Sequence, residues 1–299
     1  MRILLLGKNG QLGWELQRSL SVLGELIPLD RSHAGGDLLK LNDVRSGIQK
    51  LRPDVIVNAA AYTSVDKAEL EFDLAYRINA EAPSLIAQAA AEINALLIHY
   101  STDYVFPGNG HAPWRETDKP APLSVYGKTK LEGESAIQAS GCEHLIFRTS
   151  WVYGIRGANF ARTILGLLRE REVLTIVNDQ FGVPTGAEFI ADVTAHAIWS
   201  CRLDGPRCGI YHVAAAGETT WWEYACYVSE SAQKLAPEIP WICREIRPIS
   251  TADFPAIAKR PLNSRLNTQK MQNAFGLSTP NWKHGVKRFL IETLAKQGP

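Results

Sequence analysis

Apolar positions cluster along the first half of the chain in short β-rich runs: RILLL at 2–6, LIPL at 26–29, DVIVN at 54–58, LLIHYS at 96–101 and LIFRT at 145–149. The segments between them keep helical spacing. Leu12, Leu16 and Leu20 recur every four residues, and 79–94 is an alanine-rich helical stretch. Short apolar strands alternating with helices predict βαβ units around a parallel sheet whose two faces are both covered. The expected fold class is therefore α/β, a Rossmann-type doubly wound parallel sheet. Past residue 150 the rhythm loosens, with Gly and Pro in QFGVPTGAE and PLNSR and more frequent Trp, which points to a smaller C-terminal lobe. TWWE at 220–223 reads as a capping box, Thr220 accepting from first-turn amides and Glu223 reaching back.

Length agrees with this division, since 299 residues is about twice the prior for one domain. Lys plus Arg total 32 and Asp plus Glu 31, so no general attraction for nucleic acid or anionic membrane is expected, and any phosphate must be held locally. No run of about 18 apolar residues occurs, and RILLLG is too short for a signal-peptide core. A cytoplasmic protein is the expectation. The five cysteines (Cys142, Cys201, Cys208, Cys226, Cys243) include no CxxC pair and suggest neither a disulfide framework nor a zinc site.

Chemistry enters after the first strand. Gly7-Lys8-Asn9-Gly10-Gln11-Leu12-Gly13 is a GxxGxxG pattern running into a helix, where glycines permit a tight turn and let backbone amides approach a pyrophosphate. Asp30, ending the second strand 17 residues after Gly13, suits an adenosine ribose. The neighbouring Arg31 could pair with a 2′-phosphate or be a solvated loop residue, so use of both NADH and NADPH is expected. Asp37, before Leu38, could bind an adenine amine or cap the next helix. These features assign 1–150 to an NAD(P)-binding Rossmann domain, with some later segments returning to it, and 151–299 mainly to substrate binding.

The segment VYGKTK places Tyr126 and Lys130 four residues apart, on one helix face with Cβ atoms roughly 5–6 Å apart. At that distance an ammonium can stabilise a developing phenolate and make the tyrosine a better acid. Ser101-Thr102-Asp103 stands at the end of a predicted strand, where ligands bind in open α/β sheets.

Taken together, GKNGQLG, VNAAAYTSVDKAE, YSTDYVFPG, VYGKTKLEGE, FRTSWVYG, DQFGVPTGAE and RPLNSRLN resemble the dTDP-4-dehydrorhamnose reductase family of the extended short-chain dehydrogenase/reductases, in collinear order from residue 1 to about 290. The resemblance implies NAD(P)H-dependent reduction of the C4 keto group of dTDP-4-dehydro-L-rhamnose, the closing step of a nucleotide-sugar synthesis serving bacterial surface polysaccharide. It implies Tyr126 as proton donor, Thr102 hydrogen-bonding the same oxygen, and Lys130 holding the nicotinamide ribose. It further implies that Gly10 to Leu12, Asp30, Asp37, Leu38, Ala61, Tyr62, Thr63 and Tyr100 line the cofactor, and that Asp103 and Trp151 contact the sugar. Trp151 could equally be an aromatic core residue, and Asn79 in RINAEAP is set aside as structural.

The rivals are another nucleotide-sugar 4-reductase or 4-epimerase, a 4,6-dehydratase, and a non-catalytic NADP-binding regulatory subunit; the fold alone does not separate them. Dehydratases carry Asp-Glu directly after the active-site threonine, whereas here Thr102-Asp103-Tyr104 lacks the glutamate. Some members of the family are associated with Mg2+ at a subunit contact. Glu15, Glu188 and Glu292 are too scattered in sequence to be argued together, and no metal is assigned. A homodimer is the base-rate expectation.

Overall fold

The computed structural model describes residues 1–205 and 207–295. At its centre lies a parallel sheet of six strands: β1 (Arg2–Leu6), β2 (Glu25–Leu29), β3 (Val55–Asn58), β4 (Leu96–Thr102), β5 (His144–Thr149) and β6 (Gly209–His212). Their spatial order is β6-β5-β4-β3-β1-β2. The chain leaves β1 to one side for β2 and returns on the other side for β3. A crevice therefore opens between the carboxyl ends of β1 and β3, where ligands enter such sheets. Five strands lie within one residue of the apolar runs that predicted them. The sixth, GIYH, carries too short a pattern to be read locally, and its partner β5 lies some sixty residues upstream. Pro28 is tolerated because β2 is an edge strand, paired on one side only.

Alternation along β1 explains the two layers. Ile3 and Leu5 face α1 (Gln11–Leu20), while Leu4 and Leu6 face α2 (Leu41–Leu51) and α3 (Ala82–Ile93). α3 grows out of a π-turn at Arg77–Glu81, which occupies the start of the predicted 79–94 helix. α4 (Val125–Ala139) joins the α3 side through Ile137, and α5 (Ala187–Asp204) joins α1 through Ile190, Ala191 and Ala197. A third core packs Leu165, Tyr224, Val228, Val286 and Phe289 beneath the carboxyl side of the sheet, reaching Val105 and Phe106 just past β4. The predicted capping box is present: Glu223 N donates to Thr220 Oγ1 at 3.1 Å and Thr220 N to Glu223 Oε2 at 3.0 Å. Among the described residues, no helix is long and apolar enough to cross a membrane.

Candidate active site

A cleft of about 610 Å³ opens at the crevice, lined by Gly7, Gly10, Asp30, Arg31, Asp37, Leu38 and Ala61 among others. Gly7 sits at φ +87°, and a Cβ there would lie 2.7 Å from Ala60 N; a Cβ on Gly13 would lie 2.0 Å from Gly7 O. Only glycine lets this loop press against the β3 loop and the start of α1. Gly10 is the N-cap of α1 and supplies no side-chain cap, so the amides of Gln11 and Leu12 are left as donors for an anion. The cradle that side chains would fill, with uncapped amides at its edge, fits a dinucleotide pyrophosphate.

Asp30 is held by its own loop. It accepts from Ser32 Oγ at 2.5 Å, Ser32 N at 2.8 Å and His33 Nδ1 at 2.8 Å, and also from Asn9 Nδ2. Those bonds, Ser32 first, keep the carboxylate well below its usual range. Lys8 Nζ lies 3.9 Å from Asp30 and 3.1 Å from His33 Nε2. Lys8 and His33 thus stand beside Asp30, and sequence reading passed over both. Asp37 does not cap α2, whose N-cap is Lys40; it accepts instead from Leu39 N at 3.1 Å. Ala61 and Thr63 are exposed, and Tyr62 between them is clamped by the Asn79 amide. Tyr62 N donates to Asn79 Oδ1 at 2.9 Å, and Asn79 Nδ2 donates to Tyr62 O at 3.0 Å and Thr129 Oγ1 at 3.3 Å. Asn79, set aside on sequence, therefore fastens this stretch of the cleft wall to α4.

The Tyr126 phenol meets Thr102 at the carboxyl end of β4. Ser124 Oγ accepts from Gly127 N at 3.2 Å and starts α4 one residue before Val125, so Tyr126 falls in the first turn. A Cβ at Gly127 would lie 2.2 Å from Tyr104 O, and one at Gly133 2.2 Å from Asn79 O. Both glycines let α4 settle onto the turn after β4 and onto the π-turn. Desolvation pushes the Tyr126 phenol up to about 12, with the Thr102 hydroxyl opposing and Asp103 adding to the rise. Thr102 Oγ1 donates to Asp103 Oδ1 at 3.2 Å and accepts from Tyr104 N at 3.2 Å. Asp103 is buried, and burial pushes its carboxyl up to about 7, with the Ser264 and Thr102 hydroxyls opposing. The Tyr104 ring meets Tyr126 edge-on at 5.6 Å, and desolvation drives its phenol far above the ordinary value. Tyr104 is no base.

Lys130 is buried on α4, one turn after Tyr126. Its Nζ donates to Tyr100 O at 2.6 Å and sits 3.1 Å from His99 Nε2, while burial brings its pKa down to about 8, with Glu134 opposing. The helical spacing sets the two side chains on one face, but the nearest partners of the buried nitrogen lie on β4. Tyr100 reaches this region by its carbonyl alone, since its hydroxyl bonds Thr194 Oγ1 at 2.8 Å in the core. Beneath α4, Glu134 and Arg148 form a buried bidentate pair at 2.9 and 2.6 Å.

On β5, Thr149 is paired with Thr102, so Trp151 follows two residues past the neighbouring strand end. Its backbone is left-handed (φ +48°), and its ring stacks on Trp221 with centroids 3.6 Å apart. Gly182 makes room, as a Cβ there would lie 2.6 Å from the indole. Trp221, read on sequence only as part of a cap, thereby becomes the support of Trp151. Elsewhere, Glu15, Glu188 and Glu292 prove to be neighbours: burial raises the Glu188 carboxyl, Arg288 opposes, and Glu15, Glu292 and Asp192 raise it further. Among the described residues no group of three or more His, Cys, Asp or Glu is arranged to hold a metal ion.

Residues 1–295 match the family model described as RmlD substrate binding domain. The dTDP-4-dehydrorhamnose reductase of Salmonella typhimurium is 54% identical over 98% of this chain and 98% of its own. The crystal structure of a dTDP-4-dehydrorhamnose reductase from Clostridium acetobutylicum superposes with a TM-score of 0.88 at 36% identity, covering 99% of this chain and 100% of that one. The dTDP-4-dehydrorhamnose reductase of Bacillus anthracis, solved in complex with NADP, gives 0.86 at 34% identity, over 98% and 99% of the two chains. With the glycine cradle, the Thr102–Tyr126 contact and Lys130 assembled at one sheet edge, and likeness of this degree along its whole length, the chain belongs to the dTDP-4-dehydrorhamnose reductase family.

Proposed function

We propose that the chain reduces the C4 keto group of dTDP-4-dehydro-L-rhamnose to give dTDP-L-rhamnose, using NADPH or NADH. The observation that carries this reading is the Tyr126 phenol, kept protonated by desolvation and touching Thr102 at the end of β4, with no second acid/base pair after the threonine. Residues up to about 150 hold the cofactor and those beyond it mainly the nucleotide sugar. The uncapped amides of Gln11 and Leu12 would hold the pyrophosphate, Asp30 with Arg31 and Lys8 the adenosine ribose end, and Lys130 the nicotinamide ribose. Bound there, the dihydronicotinamide supplies a hydride to the carbonyl carbon.

The protein supplies the proton and the orientation. Tyr126 gives its phenolic proton to the carbonyl oxygen as negative charge develops on it, and Thr102, its hydroxyl turned away from Asp103 Oδ1, donates a hydrogen bond to that same oxygen. A phenol near 12 retains its proton at neutral pH until the alkoxide, a stronger base, draws it off. Asp103 and Trp151 contact the sugar. The phenolate left behind regains its proton from solvent before the next turnover. The protein works in the cytoplasm, where both cofactors and the nucleotide sugar are made, and forms a homodimer.

The decisive experiment incubates purified protein with dTDP-4-dehydro-L-rhamnose and each reduced cofactor, following cofactor oxidation and identifying the product. One NADPH or NADH consumed per dTDP-L-rhamnose formed is the expected result, with dTDP-glucose left untouched. A 4-keto-6-deoxy sugar from dTDP-glucose, epimerisation without net oxidation, or tight cofactor binding without turnover would each replace the reductase reading by one of its rivals.

A further inference from the structure

The buried group with the least obvious purpose is His99, which touches neither the cleft nor the sugar side yet sits beneath Lys130. The ionisable groups around Lys130 are Tyr126 and Glu134 on α4, His99 on β4 and Arg148 on β5. Both oxygens of Glu134 are committed to Arg148, so the nearest partners of the Lys130 nitrogen are uncharged. Which nitrogen of His99 carries the hydrogen then decides whether Lys130 faces a lone pair or an N–H. Asn58 settles that question. The backbone N–H of Ala60 donates to Asn58 Oδ1 at 3.2 Å, which fixes the amide and leaves Asn58 Nδ2 facing His99 Nδ1 at 3.3 Å. A ring nitrogen that receives an amide N–H is the unprotonated one. The hydrogen of the neutral imidazole therefore lies on Nε2, 3.1 Å from Lys130 Nζ. An ammonium meets a competing donor there, whereas a neutral amine accepts from it and still donates to Tyr100 O.

We propose that Asn58 and His99 form a positioning pair that governs the proton on Lys130, presenting an N–H to Nζ and so easing deprotonation. Burial works in the same direction on Lys130, and burial together with the lysine charge holds His99 well below its ordinary value, so the imidazole stays neutral. The pair makes Lys130 a group that exchanges its proton close to neutral pH rather than a fixed cation, one helical turn from the acid that must be recharged in each cycle. Its role in turnover rests on the proposed reductase reading; its test does not.

Two measurements on the full chain decide it. Proton–nitrogen NMR on histidine-labelled protein, with the His99 signal assigned by its loss in His99→Gln, should show the Nε2–H tautomer; an Nδ1–H tautomer overturns the proposal. The affinity for NADPH, titrated by fluorescence from about pH 6 to 10, should weaken with a midpoint near the lysine value. In Asn58→Asp the carboxylate accepts the Nδ1–H and turns the Nε2 lone pair toward Lys130, so the midpoint should rise by about one pH unit or more. A folded Asn58→Asp with an unmoved midpoint refutes the pair. In the Asn58→Asp, His99→Gln double variant the new charge remains but the imidazole is gone, so a midpoint shift that persists there in full is Coulombic and refutes the pair. Since no sugar is used, a protein that binds NADPH and shows the shift but leaves the keto sugar unreduced would fault the reductase reading alone.

Discussion

Gly127→Ala tests whether Tyr126, the proposed acid, depends on the close seating of α4. The added methyl would lie 2.2 Å from Tyr104 O, and restoring even a 3.0 Å contact requires a retreat of about 0.8 Å. The obstacle is a backbone carbonyl in a turn held by Thr102 and Asp103, so α4 must give way rather than its neighbour. Overpacking of this kind costs about 1–3 kcal/mol. Replacing Gly by Ala in a helix returns at most about 1 kcal/mol, so net destabilisation stays near 0–2 kcal/mol and the variant folds. Tyr126, one residue before Gly127, moves with the helix and loses its register with Thr102. A displacement approaching 1 Å at a reacting group lowers the rate by about 10²-fold, equivalent to about 2.7 kcal/mol of barrier. Steady-state kinetics with the keto sugar and NADPH should show that loss in kcat, while urea denaturation reports the small change in stability. Gly166→Ala is the control, because Gly166 lies in the helix Phe160–Glu170 with nothing within 4 Å of its would-be Cβ; it should keep full activity. A folded Gly127→Ala with kcat close to wild type would refute the argument that this glycine seats the acid.

Removing the acid directly, Tyr126→Phe should preserve NADPH binding and lower turnover by about 10²–10⁴-fold; near-normal turnover would dismiss Tyr126 as donor. Arg31→Ala should weaken NADPH more than NADH in fluorescence titrations, and equal effects on the two Kd values would show that the guanidinium does not meet the ribose phosphate. Asp103→Asn tests the buried carboxyl through pH. Its folded-state pKa of about 7 lies above the unfolded value, so the stability linked to its proton is fully present below about pH 4 and is lost as pH rises through 7. Relative to Asp103→Asn, which stays neutral throughout, wild type should lose up to about 1.4 kcal/mol per pH unit across that window in denaturation curves; parallel curves would place the carboxyl in solvent.

Much of the architecture is legible in short windows of sequence because its causes are short-range. Alternation in RILLL sends Ile3 and Leu5 to one layer and Leu4 and Leu6 to the other, and this follows from the twofold repeat of a strand. The glycine loop is written in backbone sterics, since a positive φ at Gly7 and a blocked Cβ at Gly13 tolerate no other residue. Thr220 and Glu223 find each other across three residues. Tyr126 and Lys130 share a face because a helix turns every 3.6 residues.

What the fold alone decided is where buried polar groups find partners. Helical spacing puts Lys130 beside Tyr126, yet its nitrogen turns to His99 and Tyr100 on a strand thirty residues away. Glu134 meets Arg148, Asn79 clamps Tyr62, Trp151 rests on Trp221, and GIYH becomes the sixth strand only because β5 has an open edge. A buried amide, imidazole or ammonium must be satisfied by whatever the packed layers bring within hydrogen-bond reach, and an isolated segment holds no record of which distant strand that is. Periodicity and turn sterics act within a few residues and can be read from the chain, whereas the desolvation that tunes Tyr126, Asp103 and Lys130 exists only once the layers have closed over them.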